Sequence, residues 1–198
     1  MRGLAALLLL FMTTSAFAGF DSAYSDLILE NKSLCTLVTP VEKGDEAMSS
    51  GGYECKGYGD YVVSFAEGDL RSFVSFGKTT GDHCASTQTF GGFNSVGKKV
   101  EWRLKDGVPI ATILRWTVAY DPEDSTKEKS WLVVTKLEDN NSCHMGYVEG
   151  AYPNANEKAR ELADTAAAGF SCKTGETVFF ANAGTATDGI ASAGGCEN

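Results

Sequence analysis

The sequence predicts an α+β fold in which an antiparallel β-sheet of about six strands, arranged as a meander, packs against one C-terminal α-helix and is stapled by disulfides. Three observations predict it: apolar residues alternate with polar ones over residues 100–148, one segment near residue 160 has helical spacing, and the chain contains six cysteines. Its length fits one domain. We therefore expect a single α+β domain over residues 19–180.

The first 18 residues have the pattern of a secretion signal. Arg2 gives a positive start, Leu4–Met12 form an apolar stretch, and Ala16-Phe17-Ala18 places small residues before a cleavage site at Gly19. The apolar stretch is shorter than the ~20 residues that span a bilayer. No cysteine lies at the cleavage point to carry a lipid. The sequence therefore predicts a periplasmic or secreted protein with no stable membrane anchor.

The chain is acidic, with 17 Lys and Arg against 26 Asp and Glu and a net charge of −9. Loss of residues 1–18 removes Arg2 and no carboxylate, so the net charge becomes −10. This balance disfavours nucleic acid and anionic membranes as partners. It suits basic proteins, cationic peptides or metal cations, although it also keeps an exported protein soluble.

An even number of cysteines in an oxidising compartment predicts three disulfides. Cys35 and Cys55 flank a polar, Gly-rich stretch, 42–52, which we interpret as a loop closed by a disulfide. Cys143 lies on a predicted strand and Cys172 follows the predicted helix, so a strand-to-helix disulfide is expected between them.

The third pair, Cys84 with Cys196, follows by elimination. Residues 181–195 are mainly Ala, Gly, Thr and Ser, with few large apolar groups. We therefore expect residues 181–198 to form a tail tethered by Cys196.

Two predicted strands, 61–67 and 70–76, form a hairpin that reverses at Gly68-Asp69. Residues 77–92 are polar and poorly patterned, and they predict a long loop. The segment 91–97 is rich in glycine but precedes a strand, so we interpret it as a connection and not as a phosphate-binding turn.

Four further strands follow in succession, with a reversal at 138–141. In the first of them Val100, Trp102 and Leu104 share one face, which predicts a strand with one wet face. The predicted strands are 100–104, 110–118, 131–137 and 143–148. The tryptophans on their apolar faces are predicted core residues: Trp102, Trp116 and Trp131.

One helix is predicted, from Ala155 to Ala168. Asn154 is a suitable N-cap with Glu157 three residues on, and Gly169 is a C-terminal stop. The apolar positions share one face and are small, which favours close packing on the sheet: Ala159, Leu162, Ala163 and Ala166.

The two histidines lie beside cysteines, as His83-Cys84 and Cys143-His144. Two His and two Cys could form a tetrahedral zinc site. However, adjacent residues on a strand point to opposite faces, and disulfides would consume the thiols. We therefore expect ordinary surface histidines and predict no metal, cofactor or catalytic residue.

Acidic residues cluster at Asp121, Glu123 and Asp124, and again at Glu138-Asp139-Asn140. Neither run has the ligand spacing of an EF-hand loop, so both are interpreted as solvated turns. The chain contains no Gly-x-Ser-x-Gly elbow. A spatial pair of carboxylates for hydrolysis stays open, because it needs no sequence motif.

Three tyrosines, Tyr53, Tyr58 and Tyr61, lie close to Cys55. Glycines and a disulfide would display them on a constrained loop, which is a common device for binding. The alternative interpretation is that they shield the disulfide and cap the sheet.

Several short segments resemble a group of small exported proteins of alphaproteobacteria whose activity is unassigned. The resemblance covers most of the chain beyond residue 18 and implies that Cys35, Cys55, Cys143 and Cys172 recur while Cys84 and Cys196 are additions. It implies no activity or site residue. The segments are 53–55, 57–59, 67–71, 101–103, 111–116 and 154–164. Separately, Tyr53-x-Cys55 before a strand resembles membrane-bound C-type lysozyme inhibitors, which are small disulfide-bonded β-barrels.

The function predicted from these observations is binding. No catalytic signature is present, and rigid exported β domains commonly present binding loops. We expect a non-enzymatic protein that contacts a protein, glycan or small ligand with loops at one edge of the sheet. Alternatives are an inhibitor of a lysozyme-like enzyme and a hydrolase that uses His144 or two carboxylates.

Overall fold

The computed structural model describes residues 19–39, 51–81, 83–185, 187, 191–192 and 196. The predicted signal and most of the predicted loop 42–52 lie outside these residues. The described chain forms one α-helix, α1 (Ala155–Ala166), a 3-10 turn at Cys84–Ser86, and twelve strands. The strands are β1 (Phe20–Asp26), β2 (Cys35–Thr39), β3 (Gly52–Lys56), β4 (Val62–Gly68), β5 (Arg71–Gly77), β6 (Thr89–Phe90), β7 (Asn94–Lys105), β8 (Val108–Ala119), β9 (Glu128–Glu138), β10 (Asn141–Glu149), β11 (Val178–Phe180) and β12 (Ala191–Ser192).

The larger sheet, sheet A, has six strands in the order β1-β7-β8-β9-β10-β11. Its central meander, β7 to β10, confirms the four strands predicted in succession. The prediction of a purely antiparallel sheet is wrong, because β11 pairs in parallel with β10, with Gly146 opposite Val178. The helix lies between these two strands in the chain and returns it to run in the same direction.

A second sheet, sheet B, contains β2-β3-β4-β5 and is antiparallel. The predicted hairpin at 61–76 is confirmed as β4 and β5, but it belongs to sheet B and not to a single six-stranded sheet. Gly68 pairs with Arg71, so the two turn residues are Asp69 and Leu70 and not the predicted Gly68-Asp69. Both turn residues are left-handed, with φ of 51° and 56°. The predicted loop 77–92 contains the 3-10 turn and β6, which pairs with β12.

Sheet B packs against one face of sheet A around an aromatic core. Trp102, Trp116 and Trp131 are at most 2% exposed, which confirms them as core residues. The ring centroid of Phe90 lies 5.5 Å from that of Trp116 and 6.3 Å from that of Trp131. This layer is therefore filled by large rings.

The helix packs on the opposite face of sheet A through small residues, as predicted. Ala159 and Ala163 are fully buried there against a surface that includes Ile113 and Val134. The helix ends two residues before the predicted Ala168. Asn154 precedes it with φ 53°. Its side chain makes no capping hydrogen bond, so the prediction that Asn154 caps the helix through its side chain is wrong.

The face of β7 predicted to be wet is covered by α1. Arg103 is 7% exposed and donates from Nε and Nη2 to Asp164 at 2.9 and 2.7 Å. Arg160 donates from Nε to Glu101 at 2.6 Å. Burial alone would raise the pKa of Glu101, but hydrogen bonds from Arg160 and Ser22 hold it below its usual value. The prediction that this face of β7 is exposed to solvent is wrong, because charged side chains of the helix cover it and pair with those of the strand.

All three predicted disulfides are present: Cys35–Cys55, Cys84–Cys196 and Cys143–Cys172. The first joins directly opposite residues of β2 and β3. The third joins β10 to the segment after α1. The first disulfide thus lies within sheet B, the second ties Cys196 to the 3-10 turn, and the third ties the segment after α1 to sheet A.

Candidate functional site

The turns at one end of the two sheets form a pocket of about 720 Å³, which we call the loop-end pocket. Within sheet A the carboxyl end of β8 meets the amino ends of β7 and β9 here, because neighbouring strands run in opposite directions. The amino end of β5, which belongs to sheet B, also reaches the pocket through Arg71. The lining residues are Arg71, 91–93, 118–122, Ser125, Lys129, Trp131 and 184–185.

Asn94 joins the two sheets next to the residues that line this pocket. Its backbone N–H donates to the carbonyl of Leu70 at 3.0 Å, and its side-chain carbonyl accepts from the N–H of Ser72 at 2.9 Å. Its side-chain amide donates to the carbonyl of Gly92 at 2.9 Å. A Cβ on Gly92 would lie 2.1 Å from the carbonyl oxygen of Ala119, so the close approach of the turn to β8 requires glycine.

Two exposed aromatic rings border the pocket, and each is backed by a cation. Phe93 is 42% exposed, and the guanidinium of Arg71 lies 5.4 Å from its ring centroid. Tyr120 is 55% exposed, and the ammonium of Lys129 lies 5.3 Å from its ring centroid. Such contacts restrict the rings without burying them.

Arg71 also holds the β6–β7 turn in place. Its Nε and Nη2 donate to the carbonyl of Gly91 at 3.0 and 2.8 Å, and its Nη1 pairs with Asp69. The guanidinium is therefore largely satisfied within the protein.

A buried carboxylate, Glu149, supports the wall made by residues 184–185. It is 4% exposed and pairs with Lys129 at 3.2 Å. It accepts from the N–H of Asn182 at 2.8 Å and from the hydroxyl of Thr185 at 3.1 Å. Burial alone would raise the pKa of Glu149, but these hydrogen bonds lower it below its usual value. Glu149 and the β6–β12 pairing thus anchor the C-terminal segment in addition to the predicted Cys196.

The acidic cluster of the β8–β9 loop forms part of the pocket rim. Asp121 pairs with Lys127 at 2.6 Å and accepts from the N–H of Glu123 at 2.9 Å. Asp124 accepts from the N–H of Thr126 at 3.1 Å. Hydrogen bonds from Lys127 and Thr126, respectively, lower the pKa of Asp121 and Asp124. Among the described residues no group of three or more His, Cys, Asp or Glu is arranged to hold a metal ion.

Both histidines are buried, so the prediction of surface histidines is wrong. His144 is 2% exposed, and its Nδ1 lies 2.7 Å from the hydroxyl of Tyr147. Burial lowers the pKa of His144 to about 3, so its imidazole is neutral near pH 7. His83 is 3% exposed, and its Nε2 lies 3.0 Å from the carbonyl of Thr79. The neighbouring thiols are consumed by disulfides. His144 belongs to the aromatic core, where its ring packs 6.0 Å from that of Trp116 and 5.5 Å from that of Tyr147.

The three candidate tyrosines do not share one loop. Tyr53 lies within β3, and its ring packs 6.3 Å from that of Phe65. Tyr58 and Tyr61 lie in the β3–β4 turn and are half-buried against the aromatic core. The ring of Tyr61 lies 5.6 Å from that of Trp102.

Tyr61 also lines a second pocket of about 700 Å³, at the opposite end of the sheets. Lys78 and Lys136 lie beside it, together with the second acidic cluster, 138–140. Lys78 pairs with Asp60 at 3.1 Å. This pocket is bordered mainly by polar side chains, and it lacks the pair of exposed rings found at the loop end.

No known family model, curated protein or solved structure matches this chain. The resemblances noted from the sequence therefore stay predictions. Within the part of the chain that the structure describes, no helix is long and apolar enough to cross a bilayer.

Proposed function

We propose that this is an exported, non-enzymatic binding protein whose ligand occupies the loop-end pocket. The observation that carries the proposal is the pocket itself, a cavity of about 720 Å³ bordered by Phe93, Tyr120 and Trp131. This volume lies in the range of pockets that bind ligands. Three disulfides support an oxidising compartment, in agreement with the predicted secretion signal.

The pocket is built as a rigid binding surface. Asn94 and Gly92 fix the turns against each other, and Glu149 fixes the C-terminal wall. Because few groups need to be ordered when a ligand arrives, the entropic cost of binding is small. Pre-organised turns on a sheet scaffold are a common binding arrangement.

The charged groups lining the pocket favour binding over catalysis. Arg71 pairs with Asp69, Lys129 pairs with Glu149, and Asp121 pairs with Lys127. Hydrogen bonds from cations and backbone N–H groups lower the pKa values of Glu149 and Asp121, which opposes proton transfer by these carboxylates near pH 7. The same groups can orient a ligand by hydrogen bonding.

Parallel screens against random peptides, a glycan array and a small-metabolite library test this proposal. We expect a binder whose affinity falls at least about tenfold in Phe93→Ala or Tyr120→Ala, because exposed aromatic anchors dominate binding energy. Val108→Ala is the matched control, since Val108 is 58% exposed at the other end of the sheets. Binders that ignore both pocket variants, or no binder in any screen, would contradict the proposal.

An inhibitor of a basic, lysozyme-like enzyme is a second candidate, favoured by the net charge of −9 and the acidic β8–β9 loop at the pocket rim. Inhibition of a purified lysozyme should then depend on Phe93 and Tyr120. Failure to slow lysozyme at micromolar concentration counts against this candidate.

A further inference from the structure

We propose that the partner of the loop-end pocket is a basic polypeptide segment that inserts an apolar side chain into the pocket beside Phe93 and Tyr120. This inference rests on the proposed function and adds the chemical class of the ligand.

The apolar surface extends beyond the pocket. Leu70, Phe93 and Tyr120 are 59%, 42% and 55% exposed, and they come from three separate turns. Their backbones adjoin: the N–H of Asn94 donates to the carbonyl of Leu70 at 3.0 Å, and the N–H of Ala119 donates to the carbonyl of Phe93 at 2.8 Å. We call these three residues the loop-end patch. A clustered patch of this kind, containing aromatic residues, is typical of a protein-binding surface.

Leu70 is an unexpected residue at its position. It is the second residue of a two-residue hairpin turn, where its φ of +56° favours Gly, Asn or Asp. A large apolar side chain there is strained and exposed at the same time. Neither the turn conformation nor solvent exposure favours leucine at this position, whereas contact of its side chain with a partner would.

The position of Leu70 favours a polypeptide over a small molecule. Leu70 belongs to the patch but is not among the residues lining the pocket. A ligand confined to the cavity would leave Leu70 in water, whereas a chain that crosses the mouth would cover it and fill the cavity with one side chain.

The charge around the patch favours a basic segment. The two cations of the pocket are neutralised, Arg71 by Asp69 and Lys129 by Glu149. Glu123 and Glu128 are exposed on the neighbouring loop and strand end, and neither forms an ion pair within the described residues. The rim therefore carries excess negative charge on a chain whose net charge is −9. Lysine and arginine beside the inserted side chain would complement it.

Selection of random dodecapeptides displayed on phage, with the disulfide-intact protein as bait, tests the proposal. We expect enriched peptides with net positive charge around an aromatic or aliphatic residue. Synthetic copies should bind at least about tenfold more weakly to Leu70→Asn, which suits the turn and removes the apolar side chain. Val108→Asn, which removes an exposed apolar side chain elsewhere, should bind as the native protein does.

A charge-reversal pair separates local charge from net charge. Glu123→Lys/Glu128→Lys should weaken the selected peptides about tenfold, and Glu30→Lys/Glu176→Lys should weaken them less than about threefold. The two double variants have the same net charge, and all four glutamates are exposed. Equal losses of peptide affinity in the two double variants would overturn the proposal that the negative charge of the rim attracts the segment.

Other results would overturn the inference and leave the proposed function intact. These are enrichment of acidic or charge-indifferent peptides, selected peptides that ignore Leu70→Asn, and a glycan-array hit that depends on Phe93 and Tyr120 in place of any peptide. An absence of binders in the peptide, glycan and metabolite screens alike would overturn the inference and the proposed function together.

Discussion

The two faces of sheet A are covered by different chemistry. Toward sheet B the strands present large rings, such as Trp116 and Tyr147, which are at most 2% exposed. Toward α1 the same strands meet alanines such as Ala159, and β7 presents Arg103 and Glu101 in ion pairs with the helix. One alternating sequence thus builds an apolar layer and a partly ionic layer on opposite faces of a single sheet.

The difference indicates how each layer is stabilised. The aromatic layer removes much apolar area from water and gains from packing of rings. The helical layer buries small side chains, so its position depends more on close approach and on paired charges. We therefore expect truncation of a ring to cost more stability than loss of an ion pair.

The largest expected effect is in the aromatic layer. Phe90→Ala should lower the free energy of unfolding by about 3–5 kcal/mol, because Phe90 is fully buried among Trp116, Trp131 and Tyr147. Urea unfolding with the disulfides intact measures this change. In the helical layer Ala159→Gly should cost about 1 kcal/mol. Similar losses of unfolding free energy in Phe90→Ala and Ala159→Gly would contradict the expectation that the aromatic layer contributes more to stability than the helical layer.

An intermediate effect is expected under the helix. Arg103→Met should cost about 2–3 kcal/mol, because it leaves Asp164 without its bidentate partner in a partly buried site. The double variant Arg103→Met/Asp164→Leu should recover part of that loss. If the double variant is no more stable than the single one, the ion pair does not couple the helix to β7.

A further, smaller effect than that of Phe90→Ala is the pH dependence of the aromatic layer. The pKa of His144 is about 3 in the folded protein and about 6.5 when unfolded, so between these values the unfolded chain binds a proton that the folded chain does not. Stability should fall as the pH falls, by about 2 kcal/mol from pH 7 to pH 5.

His144→Gln should remove most of this change in the free energy of unfolding between pH 7 and pH 5, as measured by urea unfolding at several pH values. The lowered carboxyl pKa values of Glu101 and Glu149 affect a different window, because their contribution is lost only below about pH 4.5. An unchanged slope between pH 7 and pH 5 in His144→Gln would show that another group is responsible.

Local patterns predicted the meander, the helix and the tryptophan core, because the period of the apolar residues depends on one strand or helix at a time. The even number of cysteines and their positions predicted the disulfides. Alternation does not say which sheet a hairpin joins, so the placement of β4 and β5 in sheet B was not predictable. The parallel strand β11 has only three residues, too few for a pattern to be seen.

The loop-end pocket was not predictable from the sequence, because its residues come from five segments that are adjacent only in the fold. Phe93 and Tyr120 each stand alone beside a turn, and Glu149 looks like an ordinary strand end. The aromatic-rich segment around Cys55 indicated a binding loop more strongly, but its tyrosines divide between a strand and a turn. The sequence did offer a clue to the loop-end patch: Leu70, an apolar residue after Gly-Asp at a predicted reversal.

The anchoring of residues 182–185 by Glu149 has a consequence for how the protein matures. Synthesis proceeds from the amino terminus, so both sheets can assemble before this stretch is available. The last wall of the pocket is then added when Asn182 and Thr185 bind Glu149 at the end of β10 and Cys196 reaches Cys84. The pocket is thus completed at the final step, and an incompletely oxidised or truncated chain would hold a folded scaffold with an unfinished pocket.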